Sequence, residues 1–453
     1  MNKKKLYIKT YGCQMNVYDS QKMADILEPL GYESCETADG ADMVILNTCH
    51  IREKAEQKVF SDLGRLRPFK EKKAKEGSSM VIAVGGCVGQ AEGGEIIRQA
   101  PYVDMVFGPQ SYHMLPEMIA RATRSKDLKK GPGRGVVMTD FHVEDKFDAM
   151  PASKETQSAA FLAIQEGCDK FCSFCVVPYT RGAEFSRYVE AVLEDAKKLI
   201  DLGAKEITLL GQNVNAYHGV DFKGQNWNLA RLIEALNHLS GLERIRYTTS
   251  HPRDMDQELI DVHASCSKLM PYLHLPVQSG SNAILKAMNR KHDRDFYFDN
   301  IERLKKAKPD IALSSDFIVG FPGESDKDFE ETLDLVKRVR YAQAYSFKYS
   351  KRPGTPGALL ENQVPELVKS ERLSILQEVL SEHQIDFNQN TVGKTLDVLL
   401  EKKGRVEGQL VGRTPYMQSI SIEAKDRLLG HIIPITITRA HPNGVSGHIK
   451  TIG

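Results

Sequence analysis

Nowhere in the sequence do about 18 apolar residues run together, the length at which a segment becomes a candidate membrane span. The opening MNKKKLYIKTYGC carries lysines but lacks the apolar stretch of roughly 7–15 residues that a secretory leader needs. Charge of one sign is missing too. The 61 Lys and Arg stand against 60 Asp and Glu, a formal +1, so total charge supports no claim for a nucleic-acid partner, although one domain can still carry a basic face. These absences predict a cytoplasmic chain with no membrane partner. In that reducing compartment the eight cysteines are expected to be ligands, nucleophiles or buried thiols, not disulfides. At 453 residues the chain exceeds one ordinary core, and two or three domains are expected.

Residues 1–147 alternate short apolar runs, KLYIKTYG, DMVILNTC, VIAVGGC and VDMVFG, with helical patterns such as DSQKMADILEPLG. Such alternation predicts an open parallel-sheet α/β domain. Cys13, Cys49 and Cys87 each stand at or just after the end of a strand-like run. In open α/β sheets, sites gather beyond the carboxyl ends of strands, so cysteines distant in sequence can meet there. The basic, Gly-rich stretch from Arg121 to Gly135 reads as a connector.

Between 154 and 381 six strand-like runs recur, FLAIQEG, EITLLGQN, RIRYTTS, YLHLPVQSG, ALSSDFIVG and AYSFKYS, separated by helical patterns. Six units predict a partial (β/α)6 barrel, since closure takes eight. Polar residues cluster where the runs end, among them Gln212, Asn213, Ser250, His251, Gln278 and Asp316, on the rim where barrel enzymes do their chemistry. His251 reads as a loop or supporting residue there, not a metal ligand. A connecting helix leads to residues 382–453, a series of short strands punctuated by Gly, Pro and Asn that reads as a small all-β barrel.

The stretch QEGCDKFCSFCVVPYTRG, Gln165 to Gly182, puts Cys168, Cys172 and Cys175 in one loop after the first barrel strand. A structural zinc site takes four ligands, and a fully protein-held [4Fe-4S] cluster takes four thiolates. Three thiolates on such a cluster leave one iron with an open coordination position for a substrate or cofactor. Lys170 beside them favours the ionised thiolates. Cys35 and Cys266 fit no ligand pattern and read as buried or incidental thiols.

This loop resembles the CxxxCxxC motif of the radical S-adenosylmethionine (SAM) enzymes, with Phe174 as the aromatic before the third cysteine. The resemblance implies a [4Fe-4S] cluster on Cys168, Cys172 and Cys175 and SAM on its open iron. It also implies Phe174 near the adenine and Gln212, Asn213, Ser250, Gln278 and Asp316 as rim contacts to SAM. Over nearly the whole chain the sequence resembles the methylthiotransferases of that superfamily, in YGCQMN, NTCHIREKAEQKV, GGCVGQ and CDKFCSFCVVPYTRG. That resemblance implies a second [4Fe-4S] cluster on Cys13, Cys49 and Cys87, and a C-terminal TRAM domain that grips RNA, with Arg413 and Tyr416 as candidates. The phrases are most similar to members that add a methylthio group to C2 of prenylated adenosine next to the tRNA anticodon. The alternatives are threonylcarbamoyl-adenosine or ribosomal protein S12 as acceptor, or a non-catalytic iron-sulphur RNA-binding or electron-transfer protein. Expected partners are the anticodon loop, an electron donor and a sulphur source, and nothing demands more than a monomer. The chain departs from the family pattern at Gly89, Ala183, Tyr188 and Lys351. None of these is a cluster ligand, and Ala183, where an Arg is usual, is left without a role.

Overall fold

The structure is a computed structural model that describes residues 3–50, 55–127, 135–140, 146–147 and 157–450. The chain divides into two units. Met1–Lys154, Glu166–Asp169 and Val176–Phe185 form one, and Glu155–Gln165, Lys170–Cys175 and Ser186–Gly453 form the other. Two short pieces from the middle of the sequence therefore belong to the first unit. Nothing in their local pattern announces it.

In the first unit, strands Tyr32–Ser34, Lys4–Thr10, Met43–Thr48, Val81–Gly85, Met105–Phe107 and Val136–Met138 lie side by side in that order, every pair parallel. Side chains alternate along a strand, so an unbroken apolar run such as MVIL feeds both faces. Met43 and Ile45 pack into one core with Leu6, Met23 and Phe107, while Val44 and Leu46 pack into another with Val59, Leu63 and Val88. The first part of the expected connector is instead helical, because helix Leu115–Asp127 carries through it. Leu115, Met118 and Ala122 recur at helical spacing and are buried, which extends the apolar stripe past Arg121. Residues 128–134 of that connector, and residue 154 at the expected domain boundary, lie outside the described residues.

In the second unit, strands Ala159–Ala163, Glu206–Leu210 and Arg244–Tyr247 form one parallel sheet, and Tyr272–His274, Ala312–Val319 and Gln343–Lys348 another. A backbone bridge between Ile245 and Leu269 carries the curvature from one sheet to the next, and a single apolar core fills both. This is the six-stranded partial barrel. Helix Glu366–Gln389 then leads to a closed five-stranded barrel of Thr395–Lys403, Gln409–Arg413, Ser419–Glu423, Gly444–Ile449 and Ile432–His441, with its own core of Val398, Leu400, Leu410, Ile420, Ile422, Ile435, Ile437 and Val445. Among the described residues no helix is long and apolar enough to cross a membrane.

Candidate cluster and cofactor sites

Three adjacent strands of the first unit deliver Cys13, Cys49 and Cys87 to one edge of the sheet. Cys13 follows Lys4–Thr10 and caps helix Gln14–Leu27; Cys49 directly follows Met43–Thr48; Cys87 follows Val81–Gly85 in the first turn of helix Gly86–Glu92. Thr48 fixes two of these ends together, since its Oγ1 donates to Gly85 O at 2.6 Å and accepts from Val88 N at 3.1 Å. A Cβ on Gly12 would lie 2.5 Å from Cys49 Sγ, and Gly12 has φ +97, so only glycine lets the backbone before Cys13 close onto Cys49. The departure at Gly89 has a similar cause: a Cβ there would meet Phe107 O at 2.6 Å. Helix N-termini at Cys13 and Cys87 favour thiolates.

Behind the trio stands a buried frame of charge. Arg181 Nη1 donates to Glu166 Oε1 at 2.6 Å, and its Nη2 donates to Asp19 Oδ2 at 2.7 Å and Asn16 Oδ1 at 3.0 Å. Lys146 Nζ donates to Glu166 Oε2 at 2.6 Å and lies 4.5 Å from the centre of the Tyr112 ring. Desolvation pushes the Cys13 thiol up, and the Arg181 guanidinium opposes that rise. The Cys13 side chain is nevertheless exposed at the sheet edge. The backbone of Cys168 belongs to this unit as well, its N–H donating to Gly182 O at 3.2 Å. Ala183 is exposed, so the missing guanidinium leaves no gap in the buried frame. Among the described residues no group of three or more His, Cys, Asp or Glu is arranged to hold a single metal ion. A cubane makes a different demand, because each thiolate binds a different iron.

In the second unit the loop carrying Cys172 and Cys175 is pinned from the segment after helix Asn282–Ala287. Ser173 donates to Met288 O at 3.0 Å through its backbone and to Ala287 O at 2.7 Å through its hydroxyl, and Asn289 Nδ2 donates to Phe171 O at 2.8 Å. Arg290 Nη1 reaches Cys172 Sγ at 3.4 Å. Phe174 packs against Ile284, Met288, Phe321 and Tyr349. Around this loop Gln212, Asn213, Ser250 and Gln278 stand beyond the strand ends, whereas Asp316, expected at a strand end, lies within strand Ala312–Val319, because that strand runs on through Val319. Gln165 Oε1 accepts from Gln212 N and Asn213 N at 2.9 and 3.2 Å. Asn213 Nδ2 and Lys170 Nζ both donate to Asp254, each at 2.8 Å. Val214 N donates to Thr249 O at 2.9 Å, which sets Asn213 near Ser250, and Gln278 N donates to Asp316 O at 3.0 Å. Gln278 has φ +78, a conformation rare outside glycine and often met at functional sites. Asp316 Oδ2 lies 3.6 Å from His274 Nε2.

Buried polar atoms without a protein partner mark the same rim: Asn213 Oδ1, Ser250 Oγ, His251 Nε2, Arg290 Nε and Tyr349 OH. Such groups are costly to bury unpaired, so a mixed set of donors and acceptors suits a polar, amino-acid-bearing ligand such as SAM. His251 Nδ1 accepts from Arg253 N, which assigns the proton to Nε2. Burial, then the charges of Arg290, His292, Lys170 and Arg253, keep that ring neutral. Sequence reasoning missed Arg181, Arg290 and the Lys170–Asp254 pair. Arg181 lies inside the quoted cysteine stretch, and its charge beside an apolar helix was the available signal.

Cys266 caps the end of helix Gln257–Ser265 in the barrel core, its thiol pushed up by burial, and Cys35 is half-buried with its Sγ 3.3 Å from Thr37 O. In the C-terminal barrel, Arg413 Nη1 donates to Met417 O at 3.3 Å. Tyr416 OH donates to Asp310 at 3.0 Å and its ring meets Phe387 edge-on. Burial and Asp310 push the Tyr416 hydroxyl up to about 12.

Residues 5–108 match the Uncharacterized protein family UPF0004, residues 162–336 the Radical SAM superfamily, and residues 389–450 the TRAM domain. The chain is 58% identical over 451 residues to a tRNA-2-methylthio-N(6)-dimethylallyladenosine synthase of Rickettsia canadensis (strain McKiel), covering 99% of this chain and 100% of the relative. A protein of the same name from Maricaulis maris (strain MCS10) is 57% identical over 452 residues, covering 99% and 97%. Among solved structures, the radical SAM methyltransferase TsrM of Kitasatospora setae, with cobalamin and a [4Fe-4S] cluster bound, superposes with TM-score 0.55 at 14% identity, covering 79% of this chain and 77% of that one. The cobalamin-dependent SAM radical enzyme OxsB superposes with TM-score 0.53 at 14% identity, covering 84% and 56%. These two likenesses concern the fold alone.

Proposed function

The chain belongs to the tRNA-2-methylthio-N(6)-dimethylallyladenosine synthase family of radical SAM enzymes, and on that premise we propose that it adds a methylthio group to C2 of N6-dimethylallyladenosine next to the tRNA anticodon. C2 of adenine carries an unactivated C–H bond that side-chain acids and bases cannot break. When bound, a reduced [4Fe-4S] cluster and SAM supply radical chemistry equal to that bond. Cys168, Cys172 and Cys175 would hold this cluster. Asn213, Ser250, Gln278 and Asp316, with Gln212 beside them, would orient SAM, and Phe174 would pack near its adenine. Lys170, paired to Asp254, and Arg290, donating to Cys172, hold the loop and its thiolate in place. Cys13, Cys49 and Cys87 would hold a second [4Fe-4S] cluster and present the sulphur to be transferred. Arg413 would offer its remaining guanidinium N–H groups, and Tyr416 its ring, to the RNA on the TRAM barrel. The electron and the sulphur come from separate donors.

The observation that most supports this reading is the delivery of Cys13, Cys49 and Cys87 by three neighbouring strands to one sheet edge. A tRNA digest analysed by mass spectrometry tests the reaction: cells lacking the protein should accumulate N6-dimethylallyladenosine and lose its 2-methylthio form. An unchanged 2-methylthio nucleoside in those cells sinks the substrate. Anaerobically reconstituted protein should hold about eight irons, falling to about four when Cys168, Cys172 and Cys175 become Ala together. An iron count unmoved by that triple change rejects the ligand assignment.

A further inference from the structure

Arg181, Asp19, Glu166 and Lys146 are four charges with side chains no more than 3% exposed. Their sum is neutral, yet buried ion pairs offer little net stability over well-packed apolar side chains. Stability alone therefore gives weak reason for the arrangement. Its direction is informative. Cys13 caps helix Gln14–Leu27, Asn16 follows three residues on, and Asp19 neighbours Asn16 at the same spacing. Asn16 Oδ1 accepts from Arg181 Nη2 at 3.0 Å and lies 3.8 Å from Cys13 Sγ, so a single side chain links the guanidinium to the cysteine. The field of Arg181 is felt at both Cys13 and Cys87. A guanidinium does not lose its proton in proteins, so this positive charge is permanent.

We propose that Arg181 is a positioning residue for the cluster on Cys13, Cys49 and Cys87, supplying the fixed positive charge that raises its reduction potential, with Asp19, Glu166 and Lys146 holding that charge in place. The inference rests on the reading that those cysteines hold a cluster. Reduction adds a negative charge beside three thiolates, and a buried cation stabilises the reduced form more than the oxidised one. The same segment keeps Cys168 in register, because Gly182, next to Arg181, accepts the Cys168 N–H.

The test uses the full chain with Cys168, Cys172 and Cys175 changed to Ala, so that one cluster remains, and reads its midpoint in an anaerobic redox titration followed by electron paramagnetic resonance. Arg181→Gln should move the midpoint to a more negative potential with iron still bound, and Arg181→Lys should leave it close to the parent. If Arg181→Gln does not load iron, the double variant R181Q/D19N, which keeps the frame neutral, is read in its place; its midpoint should lie below that of the parent, and an unmoved midpoint there overturns the proposal equally. An unmoved midpoint in the Gln variant, or a Lys variant displaced as far as Gln, overturns the proposal. A separate arm changes Cys13, Cys49 and Cys87 to Ala in the otherwise unaltered chain. Retention of all iron there refutes the cluster reading itself, whatever Arg181 does.

Discussion

At the scale of single residues, Gly12 and His263 carry sharp consequences. A methyl group on Gly12 would meet Cys49 Cβ at 2.3 Å, and φ +97 strains any L side chain. Gly12→Ala should therefore displace Cys13 or Cys49 and lose about four of about eight irons in an anaerobic iron assay, while Gly64→Ala, where nothing lies within 4 Å, should lose none. His263 Nε2 shares a 2.6 Å hydrogen bond with Tyr247 OH, and burial, then Lys308, lowers its pKa to about 3. The same ring in an unfolded chain takes a proton near pH 6.5. Between those values the unfolded state binds more protons, so this contribution to stability is full above about pH 6.5 and is lost as pH falls toward 3. Thermal midpoints measured from pH 7 to 4.5 should fall less steeply in His263→Gln than in the parent, and equal slopes would contradict the assignment.

Elements raise the question of what the C-terminal barrel is fastened to. Arg246 donates to Pro415 O and Thr414 O, both at 2.9 Å, and Arg244 to Arg413 O at 3.2 Å, while Glu206 sits 3.0 Å from Arg246 Nε. The turn after strand Gln409–Arg413 is thus keyed to one partial-barrel strand, Arg244–Tyr247, whose arginines are braced by Glu206 at the start of the neighbouring strand. Arg246→Met leaves Glu206, itself 3% exposed, with only the more distant Arg244 at 3.6 Å, and should cost about 3 kcal/mol in the urea transition of the second unit. Tyr416→Phe loses one hydrogen bond at a more open position and should cost about 1 kcal/mol. Comparable losses for both would show that the arginines are not the anchor. The sequence made both barrels legible, through alternating strand and helix in one and Gly-punctuated strands in the other. It did not make their fastening legible, since the carbonyls that Arg244 and Arg246 grip lie more than 150 positions away and any residue type presents one. Helix Leu115–Asp127 was hidden for another reason: its basic surface resembles a connector, and its buried stripe rests on the small residue Ala122.

For the whole molecule, the first unit does not follow the order of the chain. The strand-end cysteines could be read as convergent because parallel sheets gather their carboxyl edges, a rule that acts within a domain. That Glu166–Asp169 and Val176–Phe185 return to the first unit could not, because Arg181 and Asp19 stand 162 positions apart and no periodicity links them. The division makes a prediction about truncation. A fragment ending at residue 154 keeps all six strands of the sheet but loses Glu166 and Arg181. Asp19 and Lys146 are then left facing each other at 3.7 Å, without the guanidinium that donated to the Asp19 carboxylate. Breaking a buried charge network by removing partners costs about 3–5 kcal/mol, whereas replacing the remaining charges with neutral groups of similar size removes much of that penalty. The fragment should therefore unfold at markedly lower urea than the same fragment carrying Asp19→Asn and Lys146→Met. If the two fragments share a midpoint, the segments from the middle of the chain contribute contact area to the first unit and not the charge balance inferred from Arg181.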